Sequence, residues 1–431
     1  MKKLLVLQGP ASSRSGYGDH TRDILKSLIA MDKFEIKVVD LRWGDCPRNG
    51  ISKNDEHLKK YFLTANLTRQ PDVFIQVSVP NEFMRRGKYN IGITAGMETT
   101  AVSPKWVQGS NVMDLIIVPS EHSKETLINS LYDTVDKRTN QKTGTLQVQK
   151  PVEVLFEGAD ISIFNDTPIK SIEVDNQLKS IKEDFCFLFV GHWLQGGHGH
   201  DRKDLGKLIE TFITTFKNNP SSTRPALILK TSSATFSVID KLEMIKKIKK
   251  AKSKAGLTNT PNIYLLHGDL TQEELNYLYN HKKVKAHVSF TKGEGFGRPL
   301  LEASLSGKPV IASNWSGHID FLKHSTLLPG QLINVDKSAC WKDVIIPESK
   351  WFTVNYIYAS KVLKDVFKNY KNYTTEAKKQ SKFSKDNFSI ELMKEKFIEI
   401  INKHITEEVE LKLPQLKKPE LKLPKLKKVN S

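Results

Sequence analysis

Short runs of aliphatic and β-branched residues recur along the chain, and most are followed by stretches with apolar residues three and four apart. KKLLVLQ (2–8), FEIKVVDL (34–41), DVFIQVSV (72–79), YNIGITAG (89–96), DLIIVPS (114–120) and PVEVLF (151–156) have the length and composition of buried strands. Between them TRDILKSLIAM predicts a helix, and SKETLINSL predicts another, opened by Ser123 with an acid in its first turn. A second series begins with FCFLFVGHW (185–193). The strands PALILKTS, NIYLLHG, KAHVSF and GKPVIAS then alternate with the helices LGKLIETFITTF and ELNYLYNH. A long helical pattern runs from about Asn355 to His404. Strand–helix alternation of this kind builds parallel sheets covered by helices on both faces. The expectation is an α/β protein of two Rossmann-like domains facing each other across a cleft, with ligands at the carboxyl ends of the strands. The predicted divisions are 1–165 (N-terminal Rossmann-like domain), 166–183 (linker), 184–375 (C-terminal Rossmann-like domain), 376–408 (helices) and 409–431 (tail).

Composition narrows this picture without redirecting it. A chain of 431 residues is too long for one ordinary core, and 39% hydrophobic with 26% charged residues fits a soluble globular protein. No apolar run approaches the roughly 20 residues of a transmembrane helix. The opening MKKLLVLQGPASS resembles a signal peptide only in its basic pair, because its apolar stretch stops at Gln8-Gly9-Pro10. Cys46, Cys186 and Cys340 are few and far apart, which fits neither a disulfide framework nor a zinc ribbon and points to a reducing cytoplasm. The net charge is +18, and the segment 411–431 holds seven lysines and one glutamate. Within it LKLPQLKK (411–418) recurs as LKLPKLKK (421–428); the prolines exclude a continuous helix. The reading divides between a solvated tail and an arm that docks a protein or nucleic acid, the regular leucines favouring a protein.

The richest chemistry lies in TKGEGFGRPLLEASLSGKPV (291–310). A strand ends before it, Gly293–Gly297 form a turn, Pro299 suits a helix start and Gly307 a helix end. A glycine-rich turn feeding a helix N-terminus favours a bound anion. Glu302 is expected in the first helical turn, facing a ribose hydroxyl, with Glu294 on the preceding loop.

EGFGRPLLEASLSGKPVIASNWSG resembles the nucleotide-sugar signature of retaining GT-B glycosyltransferases of the family-four, group 1 type. The likeness extends to NVMDLIIVPSEHSKETL, VEVLFEGADISIF and VGHWLQ…DRKDLGKLIETF, and so runs from about Leu4 to about Phe397, with the tail outside it. SGYGDHTRDIL, the ETT at 98–100 and the KLPKLKK ending are similar to glycosyltransferases of tailed bacteriophages. The resemblance implies a GT-B fold and metal-independent transfer from a nucleotide-diphosphate sugar, which is a substrate rather than a cofactor. It implies that Glu302 binds the donor ribose and Glu294 the transferred sugar, and that Gly295 with the amides of Phe296 and Gly297 approaches the sugar or diphosphate. Lys203 falls at the diphosphate-binding lysine, and Gly16 and Gly18 at a first-domain loop facing the diphosphate. Where the family has arginine after the first-strand glycine, this chain has Gly191-His192, so Arg202 is assigned that charge. Glu98 stands near the family's first-domain histidine and is assigned a positioning role; a loop or capping role is the alternative. His20 is an acceptor-side candidate, and Lys230 either neutralises phosphate or is a solvated strand end. His192, His198 and His200 are read as part of a flexible loop rather than a metal site. Trp106 and Trp193 are read as packing, and Trp315 as packing near the donor. The acceptor stays open among a glycan or lipid, a modified DNA base and a virion protein, with a degenerate, inactive scaffold as the rival reading.

Overall fold

The computed structural model describes residues 2–233, 235–256 and 259–405; the tail and its repeat lie outside these. The first lobe is built on six parallel strands. They are β1 (Lys3–Gly9), β2 (Phe34–Asp40), β3 (Val73–Val77), β4 (Tyr89–Ile93), β5 (Leu115–Val118) and, after the antiparallel hairpin of β6 (Tyr132–Val135) and β7 (Lys142–Leu146), β8 (Val152–Val154). Their order in the sheet is β2-β1-β3-β4-β5-β8. The helices of this lobe are α1 (Gly16–Met31), α2 (Pro104–Asn111) and α3 (Glu121–Asn129).

The second lobe repeats the plan after α4 (Ile172–Leu178). Its strands are β9 (Cys186–Val190), β10 (Ala226–Lys230), β11 (Ile263–Leu266), β12 (Val284–Ser289), β13 (Val310–Ser313) and β14 (Thr326–Leu328), in the order β11-β10-β9-β12-β13-β14 and all parallel. Helices α5 (Leu205–Phe216), α6 (Val238–Lys254), α7 (Gln272–Asn280) and α8 (Arg298–Ser304) alternate with them. The hairpin β15 (Gly330–Asn334) and β16 (Lys350–Val354) leads into α9 (Tyr356–Lys368), α10 (Tyr370–Asn387) and α11 (Ile390–His404). Strands covered on both faces are apolar throughout rather than alternating, and β5 and β10 are buried along nearly their whole length.

Several local expectations change. Helix α1 begins at Gly16, not Thr21, because Ser15 is extended and its hydroxyl accepts the Gly18 amide. Helix α3 is capped by Ser120, whose hydroxyl accepts the Ser123 amide, so Ser123 is its third residue and not its opener. The stretch 166–183 contains α4, whose Val174 and Leu178 are buried with Ile181 in the second lobe's core. The C-terminal helical run is three helices broken at Asn369 and Ser389. The last of them, α11, buries Met393, Phe397 and Ile401 among the core residues of the first lobe, so the chain closes back across the interface.

Candidate active site

The two loops that carry the predicted donor chemistry leave neighbouring strands. β9 and β12 are adjacent in the second sheet, so the loop 191–204 before α5 and the loop 290–297 before α8 emerge side by side. Glu294 is buried where they meet. One oxygen accepts from Arg202 Nη1 at 2.9 Å and the other pairs with Lys203 Nζ, while the Glu294 amide donates to Ser316 Oγ at 2.9 Å. Burial alone would raise the Glu294 carboxyl; Lys203 and Arg202 outweigh it and hold it at about 2. Burial pushes the Lys203 amine down, with Glu294 opposing. Burial likewise works against the Arg202 charge, but Glu294 and Glu98 raise its pKa above the ordinary value. Glu98 reaches this group from the first lobe, 3.6 Å from Arg202 Nη1, its own carboxyl raised by burial with Arg202 opposing.

The turn itself is pressed against the first lobe. A side chain at Gly295 would meet the Ala95 carbonyl at 1.9 Å, and one at Gly293 the Glu98 carbonyl at 2.0 Å. The Gly295 carbonyl accepts from Ser120 Oγ at 2.5 Å. Gly297 caps α8 with φ +100°, which glycine adopts without strain. Phe296 sends its ring into the core against Phe321 and Phe388 (centroids 5.0 and 6.3 Å), so only its backbone is available to a ligand.

Glu302 sits in the second turn of α8 rather than the first, since the helix begins at Arg298. Its carboxylate accepts from Arg298 Nε at 3.1 Å and lies 3.5 Å from the Tyr279 hydroxyl. Arg298 also reaches Asp23 of α1 at 2.8 Å, bridging the lobes. Burial pushes Glu302 up to about 7, against the pull of Arg298, and does the same to Glu157 nearby. Nothing local in the sequence marks Asp23, Glu157 or Arg298 for a role, although Arg298 lies inside EGFGRPLLEA, because an inter-lobe partner leaves no local pattern.

The remaining candidates separate into groups. Gly16 and Gly18 are the first turn of α1, not a loop. Gly18 is required there because a side chain would lie 2.2 Å from the Ser13 carbonyl, whereas Gly16 has nothing within 4 Å. Lys230 donates to the Gly268 carbonyl at 2.6 Å, and burial pushes its amine down to about 8. Arg14 crosses from the first lobe to Asp269 beside it, at 3.0 Å. His192 is paired with Ser232 (3.3 Å), His198 with Glu210 (3.0 Å), and His200 lies 3.9 Å from Asp336. The three do not converge, and among the described residues no group of three or more His, Cys, Asp or Glu is gathered as for a metal. His20 is buried, its Nδ1 has no partner among the described residues, and burial pushes it down to about 4, so it is neutral. Trp106 and Trp193 are core residues, and Trp315 lies against Phe352 and His122.

Comparison with known proteins agrees with this architecture. Residues 176–343 match the family described as "Glycosyl transferases group 1". No curated protein matches the chain by sequence. Among solved structures, the chain superposes on sucrose-phosphate synthase from Thermosynechococcus elongatus with a TM-score of 0.59 at 14% identity, covering 93% of this chain and 99% of that one. A glycosyltransferase from Rickettsia africae gives a TM-score of 0.59 at 13% identity over 94% and 100%. Anabaena HepE in complex with UDP-glucose gives 0.57 at 14% identity over 93% and 100%. Such identities speak for the fold alone. No helix among the described residues is long and apolar enough to cross a membrane. Residues 176–343 thus resemble the group 1 glycosyltransferases, and the chain as a whole has the two-lobed GT-B fold.

Proposed function

We propose that the protein is a retaining glycosyltransferase that moves a sugar from a nucleotide-diphosphate sugar to an acceptor without needing a divalent ion. The observation that carries this is the buried Lys203–Glu294–Arg202 cluster at the carboxyl ends of β9 and β12, with Glu98 opposite it on the first lobe. A leaving diphosphate gains negative charge in the transition state, and fixed cations in a site shielded from water stabilise that charge. Arg202 contacts Glu294 and Gly293 through Nη1 alone, and Lys203 has further donors beyond its bond to Glu294, so both can still serve phosphate oxygens. Glu294 orients these cations and accepts from hydroxyls of the transferred sugar. Glu302 takes the ribose, and the amides of Gly295, Phe296 and Gly297 approach the sugar or diphosphate. Retention follows from same-face displacement, in which the bond from the anomeric carbon to the diphosphate oxygen breaks as the acceptor oxygen attacks. The departing phosphate then takes the acceptor proton.

UDP-glucose is the first donor to try, since it is the ligand of the Anabaena neighbour. Nucleotide release across a panel of nucleotide sugars, with the anomeric configuration of the product read by proton NMR, tests the proposal. Release with one donor, a retained configuration and a fall in turnover in Lys203→Ala support it. Wild-type turnover in Lys203→Ala, or an inverted product, overturns it. For the acceptor, the basic chain keeps the DNA-base reading in play beside the glycan, lipid and virion-protein readings. Salt-dependent binding of duplex DNA that disappears on deleting 409–431 would favour DNA.

A further inference from the structure

Directly beneath the cluster lies a second ion pair that the proposed chemistry does not use. Lys292 and Asp204 are both fully buried, and Lys292 Nζ donates to Asp204 Oδ2 at 3.1 Å and to Thr353 Oγ1 at 2.8 Å. Tyr356 donates its hydroxyl to the same Asp204 oxygen at 2.5 Å. Lys292 is two residues before Glu294, and Asp204 directly follows Arg202 and Lys203. The pair therefore joins the two loops at points one and two residues from the groups that meet at the cluster.

We propose that Lys292 and Asp204 are positioning residues, whose buried bond holds the loop after β9 against the loop after β12 and so sets how Lys203 and Arg202 meet Glu294 and a leaving diphosphate. Three observations separate this from ordinary core filling. Asp204 occupies the N-cap of α5, where an aspartate ordinarily accepts a helix amide, yet its side chain makes no capping bond. Asp201 accepts the Leu205 amide instead, which leaves Asp204 free to face Lys292. Asp204 also has φ +51°, a left-handed conformation that costs energy for a residue other than glycine and persists only where neighbours impose it. Finally, the Lys292 backbone is tied on both sides: its amide donates to the Arg202 carbonyl at 2.7 Å and its carbonyl accepts from Phe352 at 2.9 Å. A buried ion pair is a weak source of stability compared with apolar packing, and Asp204 Oδ1 has no partner among the described residues. What the pair does provide is a fixed register between two loops.

The test has two arms on the full chain, and only the second rests on the proposed transfer reaction. In the first, the native protein is treated with a water-soluble acetylating reagent and modification of Lys203 is followed by peptide mass spectrometry. A positioned Lys203 is protected, so Lys292→Met should raise its modification rate at least about fivefold by loosening that loop locally. Tyr356→Phe, which leaves no buried charge unpaired, should raise it less and in the same direction. Unchanged protection in the folded variants overturns the proposal, and Tyr356→Phe decides alone if Lys292→Met does not fold. In the second arm, Lys292→Met and Lys203→Ala are combined. If Lys292 acts through Lys203, Lys292→Met lowers kcat in the wild type but adds little in the Lys203→Ala background; independent effects that multiply overturn the proposal. A wild type inactive on every donor counts against the transfer reaction only, and the labelling arm still decides on Lys292.

Discussion

Replacing Glu294 by glutamine keeps the shape of the side chain and removes the charge between Lys203 and Arg202. The carboxyl is held at about 2 rather than near its ordinary 4.5, and Glu294 is 6% exposed, so little of the effect is lost to solvent. A shift of that size corresponds to roughly 3 kcal/mol of folding stability at pH 7. Lys203 moves the other way: its amine is pushed below its usual range despite the partner, because burial outweighs pairing. Part of the Glu294 contribution therefore offsets the cost of burying Lys203, and in Glu294→Gln that amine can shed its proton. The expected loss is about 2–3 kcal/mol at pH 7. The sign with pH is fixed by the depressed carboxyl. Its contribution is complete above about 4.5 and is lost as pH falls toward about 2, so the gap between wild type and variant should narrow to about 1.5 kcal/mol or less at pH 3. Urea unfolding of both proteins at pH 7 and pH 3, followed by fluorescence and circular dichroism, measures it. Equal stability at pH 7, or a gap that stays constant or widens at pH 3, would refute the placement of Glu294 between two cations.

Lys203→Ala should lower kcat on a working donor by about 10²-fold or more, as for loss of one charged group at a developing anion, measured as nucleotide release at saturating donor. Glu302→Ala should act mainly on donor use, lowering kcat/KM by about 10- to 100-fold, the range for a lost hydrogen bond to a charged group; a titration of donor concentration separates this from an effect on kcat alone. Arg298→Ala leaves Asp23, Glu157 and Glu302 buried without the cation they share. Carboxyls already pushed up by burial bind protons more tightly folded than unfolded, so stability falls as pH rises through their range. The variant should be about 3–5 kcal/mol less stable at pH 8 and recover a good part of that at pH 5.5 in urea unfolding; a deficit that grows on acidification would contradict the cluster.

What was legible in the chain, and what was not, follows from the range of the forces involved. The strands showed because parallel strands buried on both faces must be apolar along their length, as LIIV is throughout and ALILK is up to its terminal Lys230. Glu294 and Glu302 stood out because the turn after β12 and the start of α8 are contiguous in sequence, and Lys203 because DRKDLGKLIETF resembles the family's pattern after the first strand of its second domain. Helix starts were displaced by hydroxyl caps: Ser15 and Ser120 begin α1 and α3 because their side chains reach amides three residues on, and a capping serine looks the same in sequence as a serine inside the helix. Gly18 was expected in a loop but lies in the first turn of α1, where the Ser13 carbonyl of its own lobe leaves no room for a side chain. Contacts between lobes were beyond any local pattern. Arg298 meets Asp23 across 275 positions and Ser120 meets Gly295 across 175. They place the site in an interface rather than on one domain. Residues 176–343 match their family without the first lobe, but Glu98, Asp23 and Ser120 join the candidate site only through contacts between the lobes, so that part of it is encoded in the pairing of two surfaces.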